Sequence, residues 1–295
     1  MASAVEKLFS KGLISPPPWL PGAVQYEVIT GSFAYGVSGD DSDSDVYGFC
    51  IPRKDMVFPH LRGEIPGFGR QIKHFDQYQQ HHISDQQSQK QYDLSIYNIV
   101  RYFQLCMENN PNMVDSLFVP EHCILHLTPI GQKVREQRRL FLHKGSWFKF
   151  KGYAYSQIRK AATRHPEGKR AETVEKYGWD VKYGYHTVRL LLEAEQILSE
   201  GDLDLTRGRE HLKAIRNGCV SQAEVEQWFR DKEADLERVY ATSTLRHSPD
   251  EDAIKRLLLE CLEMHYCGDA GFPAHDVAAS ALREIVDIAE RALKP

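Results

Sequence analysis

Asp43 and Asp45 stand two residues apart at the head of the run Val46 to Ile51, and Gly31-Ser32 follows the run Tyr26 to Thr30. Both runs are rich enough in β-branched and aromatic residues to predict strands. On a strand the side-chain period of two puts both carboxylates on one face, where they offer divalent ions the hard oxygen donors that Mg²⁺ prefers. Gly31-Ser32 permits a tight turn into a short helix, with backbone N–H groups and a hydroxyl facing an anion. The chemistry this combination suits is metal-assisted transfer at a phosphate. Two ions about 3.5–4 Å apart would neutralise the attacking oxygen and the leaving pyrophosphate.

Two other readings compete for the same residues. The run from Asp40 to Asp45 could be a solvated acidic turn, a common fate for such sequences. A calcium loop beginning at Asp41 would match at Asp43 and Asp45, but it needs Gly where Val46 stands and Glu where Pro52 stands. With Gly31-Ser32 ahead and a strand behind, the pattern resembles the signature of the DNA polymerase β nucleotidyltransferase superfamily: Gly-Ser, a gap, then Asp-x-Asp. The resemblance extends through Asp93, Tyr102-Phe103-Gln104-Leu105, Asn112-Met113-Val114-Asp115 and Lys151 to Ile158. Over these stretches the chain is similar to the RNA repair pathway DNA polymerase β family.

This resemblance implies an α+β chain: a nucleotidyltransferase domain with a small mixed β-sheet over residues 1–140, then a mainly α-helical domain over 141–295, with the site in the cleft between them. It implies a transferase that moves a nucleoside monophosphate from an NTP such as ATP onto an RNA end, using two Mg²⁺ ions for which Mn²⁺ can substitute. It also implies a third metal carboxylate on a neighbouring strand, for which Asp93 is the well-placed residue. Locally, Asp93 also fits a helix N-cap, because Ile96, Ile99, Val100 and Phe103 behind it repeat at a helical period.

The remaining elements must position these groups. The prolines between Ser15 and Gly22 predict an extended lead-in, and residues 71–91, dense in glutamine with histidines at 74, 81 and 82, a polar hairpin or loop over the site. Residues 53–69 read as loop, and the chain from Gly131 onward as helical. A long helix opening at Asp180 brings Lys182, His186, Arg189 and Glu193 within about 60° of one another. The three basic groups are the candidates to grip the triphosphate with Gly31 and Ser32, the alternative being a surface stripe paired with Glu193. Helices are also predicted near Val225 to Leu236, Ile254 to Leu262 and Val277 to Leu293.

Composition bounds the rest. With 295 residues, 42% of them hydrophobic, the chain can bury an ordinary core, and no apolar run approaches the roughly 18 residues of a membrane span. The amino terminus has no basic-apolar signal pattern, so the expected location is the cytoplasm, with the six cysteines reduced. From Lys133 to Arg170 twelve Lys and Arg face two Glu, a balance of +10 in a chain whose total is −4, leaving −14 elsewhere. That asymmetry, with aromatics interleaved from Trp147 to Tyr155, predicts an RNA strand against Arg138, Arg139, Lys149, Lys151, Arg164 and Lys169, with RNA repair enzymes as further partners. Two rival functions remain: transfer to a protein hydroxyl, as in antitoxin-like enzymes, and a non-catalytic RNA-binding module.

Overall fold

A computed structural model describes residues 2–38, 43–61, 63–65, 71, 73–163 and 168–268. The expectations for Asp40, Asp41 and Ser42, for Arg164 and for a helix over 277–293 lie outside the described residues. In chain order the described elements are α1 (Ala4–Ser10), β1 (Val24–Ile29), β2 (Ser44–Cys50), α2 (Lys54–Val57), β3 (Gln77–Asp85), β4 (Lys90–Asn98), α3 (Ile99–Met107), α4 (Pro111–Phe118), β5 (Ile124–Leu127) and α5 (Pro129–Glu136). Six further helices follow: α6 (Ser146–Thr163), α7 (Lys169–Tyr177), α8 (Val181–Glu200), α9 (Arg209–Arg216), α10 (Gln222–Thr242) and α11 (Glu251–Gly268). No helix among the described residues is long and apolar enough to cross a membrane.

The five strands form one mixed sheet in the order β3-β4-β2-β1-β5. Strands β2 and β4 run parallel, and the other neighbours are antiparallel. Alternation along the central strands sorts their side chains to two faces. Tyr26, Val28, Phe49 and Tyr97 join the main core with the helices, while Val24, Val46, Cys50, Leu94 and Ile96 pack against α1 and the proline-containing lead-in through Val5, Leu8, Ile14 and Leu20. Buried Glu27 ties α1 to the back of the sheet by accepting from the N–H of Val5 at 3.0 Å and from that of Ala4.

The helices follow their local signals. Asn98, rather than Asp93, caps α3, accepting from the N–H of Val100 at 3.0 Å, and Asp93 lies within β4. The chain breaks at Asn109 and restarts as α4 with Asn110 as cap and Pro111 in the first turn. The expected loop over 53–69 contains the short helix α2. The main core passes residue 140 without a break: Phe141, Leu142, Trp147 and Phe150 share it with Tyr102, Phe103 and Val114. Helix α8 is buried along most of its length, between α6 and α10. All six cysteines are free, with Cys219 and Cys267 exposed.

Candidate active site

The parallel pairing of β2 with β4 sets Asp45 opposite Asp93 in register. Asp43 immediately precedes β2 and is exposed. Burial, then repulsion from Asp93 and Asp43, pushes the Asp45 carboxyl up to about 6, although Lys182 and His81 act in the opposite direction. The strand face thus holds negative charge that the protein does not fully compensate.

The end of β1 is fastened to the backbone of Asp45. Thr30 donates to the Asp45 carbonyl from its N–H at 2.8 Å and its hydroxyl at 3.2 Å. Gly31 then turns with φ +67°, and a Cβ built on it would lie 2.4 Å from Asp45 Oδ2, so glycine is required both for the turn and for the approach. The turn closes through Tyr35 N–H to Gly31 O at 3.2 Å and Val37 N–H to Ser32 O at 2.9 Å. Ser32, the residue after Gly31, is half-buried in this turn.

Asp93 is engaged from the edge strand. Residues 77–91 form the predicted polar hairpin, and β3 carries a bulge between Gln80 and Ile83 with His82 at φ +56°. The His82 N–H donates to Asp93 Oδ1 at 2.7 Å, and His81 Nδ1 lies 3.5 Å from Asp93 Oδ2. Adjacent residues on a regular strand point apart; the bulge brings the ring of one and the amide of the other to the same carboxylate. Along the same face, Gln79 Nε2 reaches Ser95 Oγ at 3.2 Å and the Tyr97 hydroxyl at 3.3 Å. Among the described residues no three His, Cys, Asp or Glu side chains form a ready-made metal cage. The donor chemistry nevertheless fits a hard cation: carboxylate oxygens without thiolates, with the Asp45 carboxyl pushed up by burial and then by its acidic neighbours.

The basic groups of α8 diverge. Lys182, in the first turn, is exposed and acts electrostatically on Asp45. His186 is pushed well below the usual histidine range by burial and then by Arg189, Lys182, Arg170 and Arg216, which keeps it neutral. Arg189 departs from its expected place on a triphosphate grip. It is 5% exposed, and its Nη1 donates to the Tyr35 hydroxyl and to Asp115 Oδ2, both at 2.5 Å, and to Glu193 Oε1 at 3.0 Å. Its guanidinium also lies 4.5 Å over the Tyr35 ring. The pairing with Glu193 is real, but it is buried rather than a surface stripe. Tyr35, four residues beyond Gly31, is thereby bound to α8 and α4.

Part of the segment expected to meet RNA is paired with acidic residues within the fold. Lys151 contacts Glu237 at 2.7 Å and Glu233 at 3.2 Å, Lys149 lies 3.4 Å from Glu108, and Arg139 pairs with Asp202. Lys133 meets Glu260 at 2.7 Å, and half-buried Arg138 lies 5.0 Å over the Phe118 ring while bonding the Arg135 carbonyl at 2.9 Å. Lys169 opens α7. The aromatics of α6 divide: Trp147 and Phe150 are core, whereas Phe148, Tyr153 and Tyr155 are exposed.

A Gly-Ser turn against paired carboxylates on a mixed sheet, backed by helices, defines a nucleotidyltransferase-like protein of the DNA polymerase β superfamily. Within that class the chain belongs to the RNA repair pathway DNA polymerase β family, whose model matches residues 20–260. Among solved structures, the nucleotidyltransferase-like protein from Exiguobacterium sibiricum 255-15 aligns at 12% identity and a TM-score of 0.28, covering 81% of this chain and 74% of that one. No curated protein matches.

Proposed function

We propose that this chain transfers a nucleoside monophosphate from an NTP to an RNA end in RNA repair, releasing pyrophosphate. The observation that carries the reading is the Asp45–Asp93 pair, opposed in register, crowded by Asp43, with the Gly31 turn in contact and Lys182 in electrostatic reach. Asp43, Asp45 and Asp93 would hold Mg²⁺, which supplies charge neutralisation for the acceptor oxygen and the leaving phosphates. The turn at Gly31-Ser32 and Lys182 bind the triphosphate. Asp115, Glu193 and Arg189 position that turn through Tyr35. The acceptor oxygen forms its bond to the α-phosphorus as the bond from that phosphorus to the pyrophosphate oxygen breaks.

A second reading, transfer to a protein hydroxyl, draws support from the intramolecular pairing of Lys149, Lys151 and Arg139, which removes much of the local charge that RNA would use. Incubating the purified protein with each α-labelled NTP, Mg²⁺, an RNA pool and a lysate protein fraction separates the two. Label in RNA is the expected outcome; label confined to protein would establish the second reading, and label in neither would overturn both.

A further inference from the structure

Two polar hollows lie side by side on the helical half, with Arg170 in the wall of each. The smaller, of about 410 Å³, carries Lys176, Lys182 and Arg216. The larger, of about 690 Å³, lies between α6 and α8 and is lined by Tyr153, Lys160, Tyr183, His186 and Arg189, with Asn112 at one side. Arg170 is fixed between them: its Nη1 donates to the Tyr183 hydroxyl at 2.6 Å, its guanidinium stacks 4.3 Å over that ring, and its Nε lies 3.9 Å from Asp180.

Among the described residues no Asp or Glu lines the larger hollow. The charges that chiefly act on His186 at its floor are all cationic, and Arg189 Nε is buried there without a hydrogen-bond partner among the described residues. Two residues that line the hollow connect it with the carboxylate face. Arg189 rests on Tyr35 of the turn that begins at Gly31. On the other side the Tyr153 hydroxyl accepts from Asn110 Nδ2 at 3.1 Å and acts electrostatically on Tyr97, which shares its strand face with Asp93. Lys182, which acts on Asp45, lines the smaller hollow, and the larger hollow is linked through Arg189 and Tyr35 to the Gly31 turn and through Tyr153 to the strand face of Asp93.

Resting on the RNA-end reading above, we propose that the larger hollow receives the terminal nucleotide of the RNA acceptor, with Lys160 and Arg170 on its phosphates and Tyr153 against its base. A cationic wall with an exposed ring suits single-stranded nucleic acid, because cations follow the backbone while aromatic faces accept any base. The site lies on α6 beside its Trp147–Phe150 core face, so the basic helix takes part in RNA binding through Lys160 rather than through Lys149 and Lys151, which are paired with glutamates.

The test is equilibrium binding of a short fluorescein-labelled single-stranded RNA by anisotropy, with NTP affinity measured by calorimetry. Tyr153→Ala and Lys160→Glu should each lower RNA affinity about tenfold, the scale of one lost base stack or phosphate contact, while NTP affinity stays within about twofold. Both positions are exposed, and an unchanged thermal midpoint confirms the fold. Weakened NTP binding with intact RNA binding would overturn the proposal by giving the hollow to the donor. Unchanged RNA affinity in both variants of a protein that still labels RNA would overturn it while leaving the RNA-end reading standing. No RNA binding by the unaltered protein at low salt would remove both.

Discussion

Asp45 carries the largest unrelieved electrostatic cost of the carboxylate face. Its carboxyl is held at about 6 against an ordinary 3.8, so the native state keeps a proton that the unfolded chain gives up between those values. The associated stability is present at acid pH and is lost as pH rises through the folded value, by up to about 3 kcal/mol. Urea denaturation without metal should therefore show stability falling across that window, and Asp45→Asn should flatten the fall and stabilise the protein at neutral pH. Mg²⁺ should raise the urea midpoint of the unaltered protein and not that of the variant, in which transfer is also abolished. An equal Mg²⁺ response in both would remove Asp45 from the metal site. Gly31→Ala adds a Cβ where Asp45 Oδ2 stands and a side chain at positive φ. It should cost at least about 1 kcal/mol and displace the carboxylate, giving a low turnover that saturating NTP does not restore.

At the scale of elements, the strand that carries Asp45 was legible because a period of two is a local property, whereas Asp93 was implied by the family resemblance and lies inside β4, and Asp43 falls just ahead of β2. The helical stripe on α8 was legible only in part. A rotation of about 100° per residue aligns Lys182, His186 and Arg189, but depth depends on what packs against each turn. Tyr35 and Asp115, distant in sequence, close over Arg189, while the first turn stays open around Lys182. The consequences differ accordingly. Lys182→Ala should weaken NTP binding roughly tenfold in calorimetry with little change in stability. Arg189→Met should cost about 3–5 kcal/mol in chemical denaturation, because two buried carboxylates lose their shared counter-charge. Glu193→Gln should be far milder, since burial and Asp115 already push the Glu193 carboxyl well up and one guanidinium serves both acids. A Glu193→Gln cost equal to that of Arg189→Met would show that both carboxylates are charged.

Across the whole molecule, charge counted along the sequence gave only part of the geography, because Lys160 and Arg170 of the basic window line the larger hollow while others are paired within the fold. A window from Lys133 to Arg170 sums to +10, but the window says nothing about the glutamates that α10 and α11 bring to it. The acidic carboxy-terminal half and the basic middle are partners, and the cation-rich surface lies at the hollows around Arg170. Arg139→Glu should leave RNA affinity unchanged in a salt titration and alter stability by only about 0.5 kcal/mol, the usual worth of an exposed pair. A flattened salt slope in that variant would restore the original basic segment as the RNA surface. The rings of α6 divide between packed and open along the helical period that Trp147, Phe150 and Ala154 share, a depth that interleaving in sequence does not give.

The kink at His81–His82 has a second effect, on solubility. Strand β3 is an edge of the sheet, exposed along much of its length and rich in glutamine, a composition suited to stacking against copies of itself. A regular edge would offer its outer amides and carbonyls as a template for a neighbouring chain. The bulge interrupts that repeat midway, at the residues that hold Asp93. Straightening the strand by deleting one histidine should then cost the protein twice, releasing the carboxylate and leaving an unbroken adhesive border that light scattering would detect as concentration-dependent association.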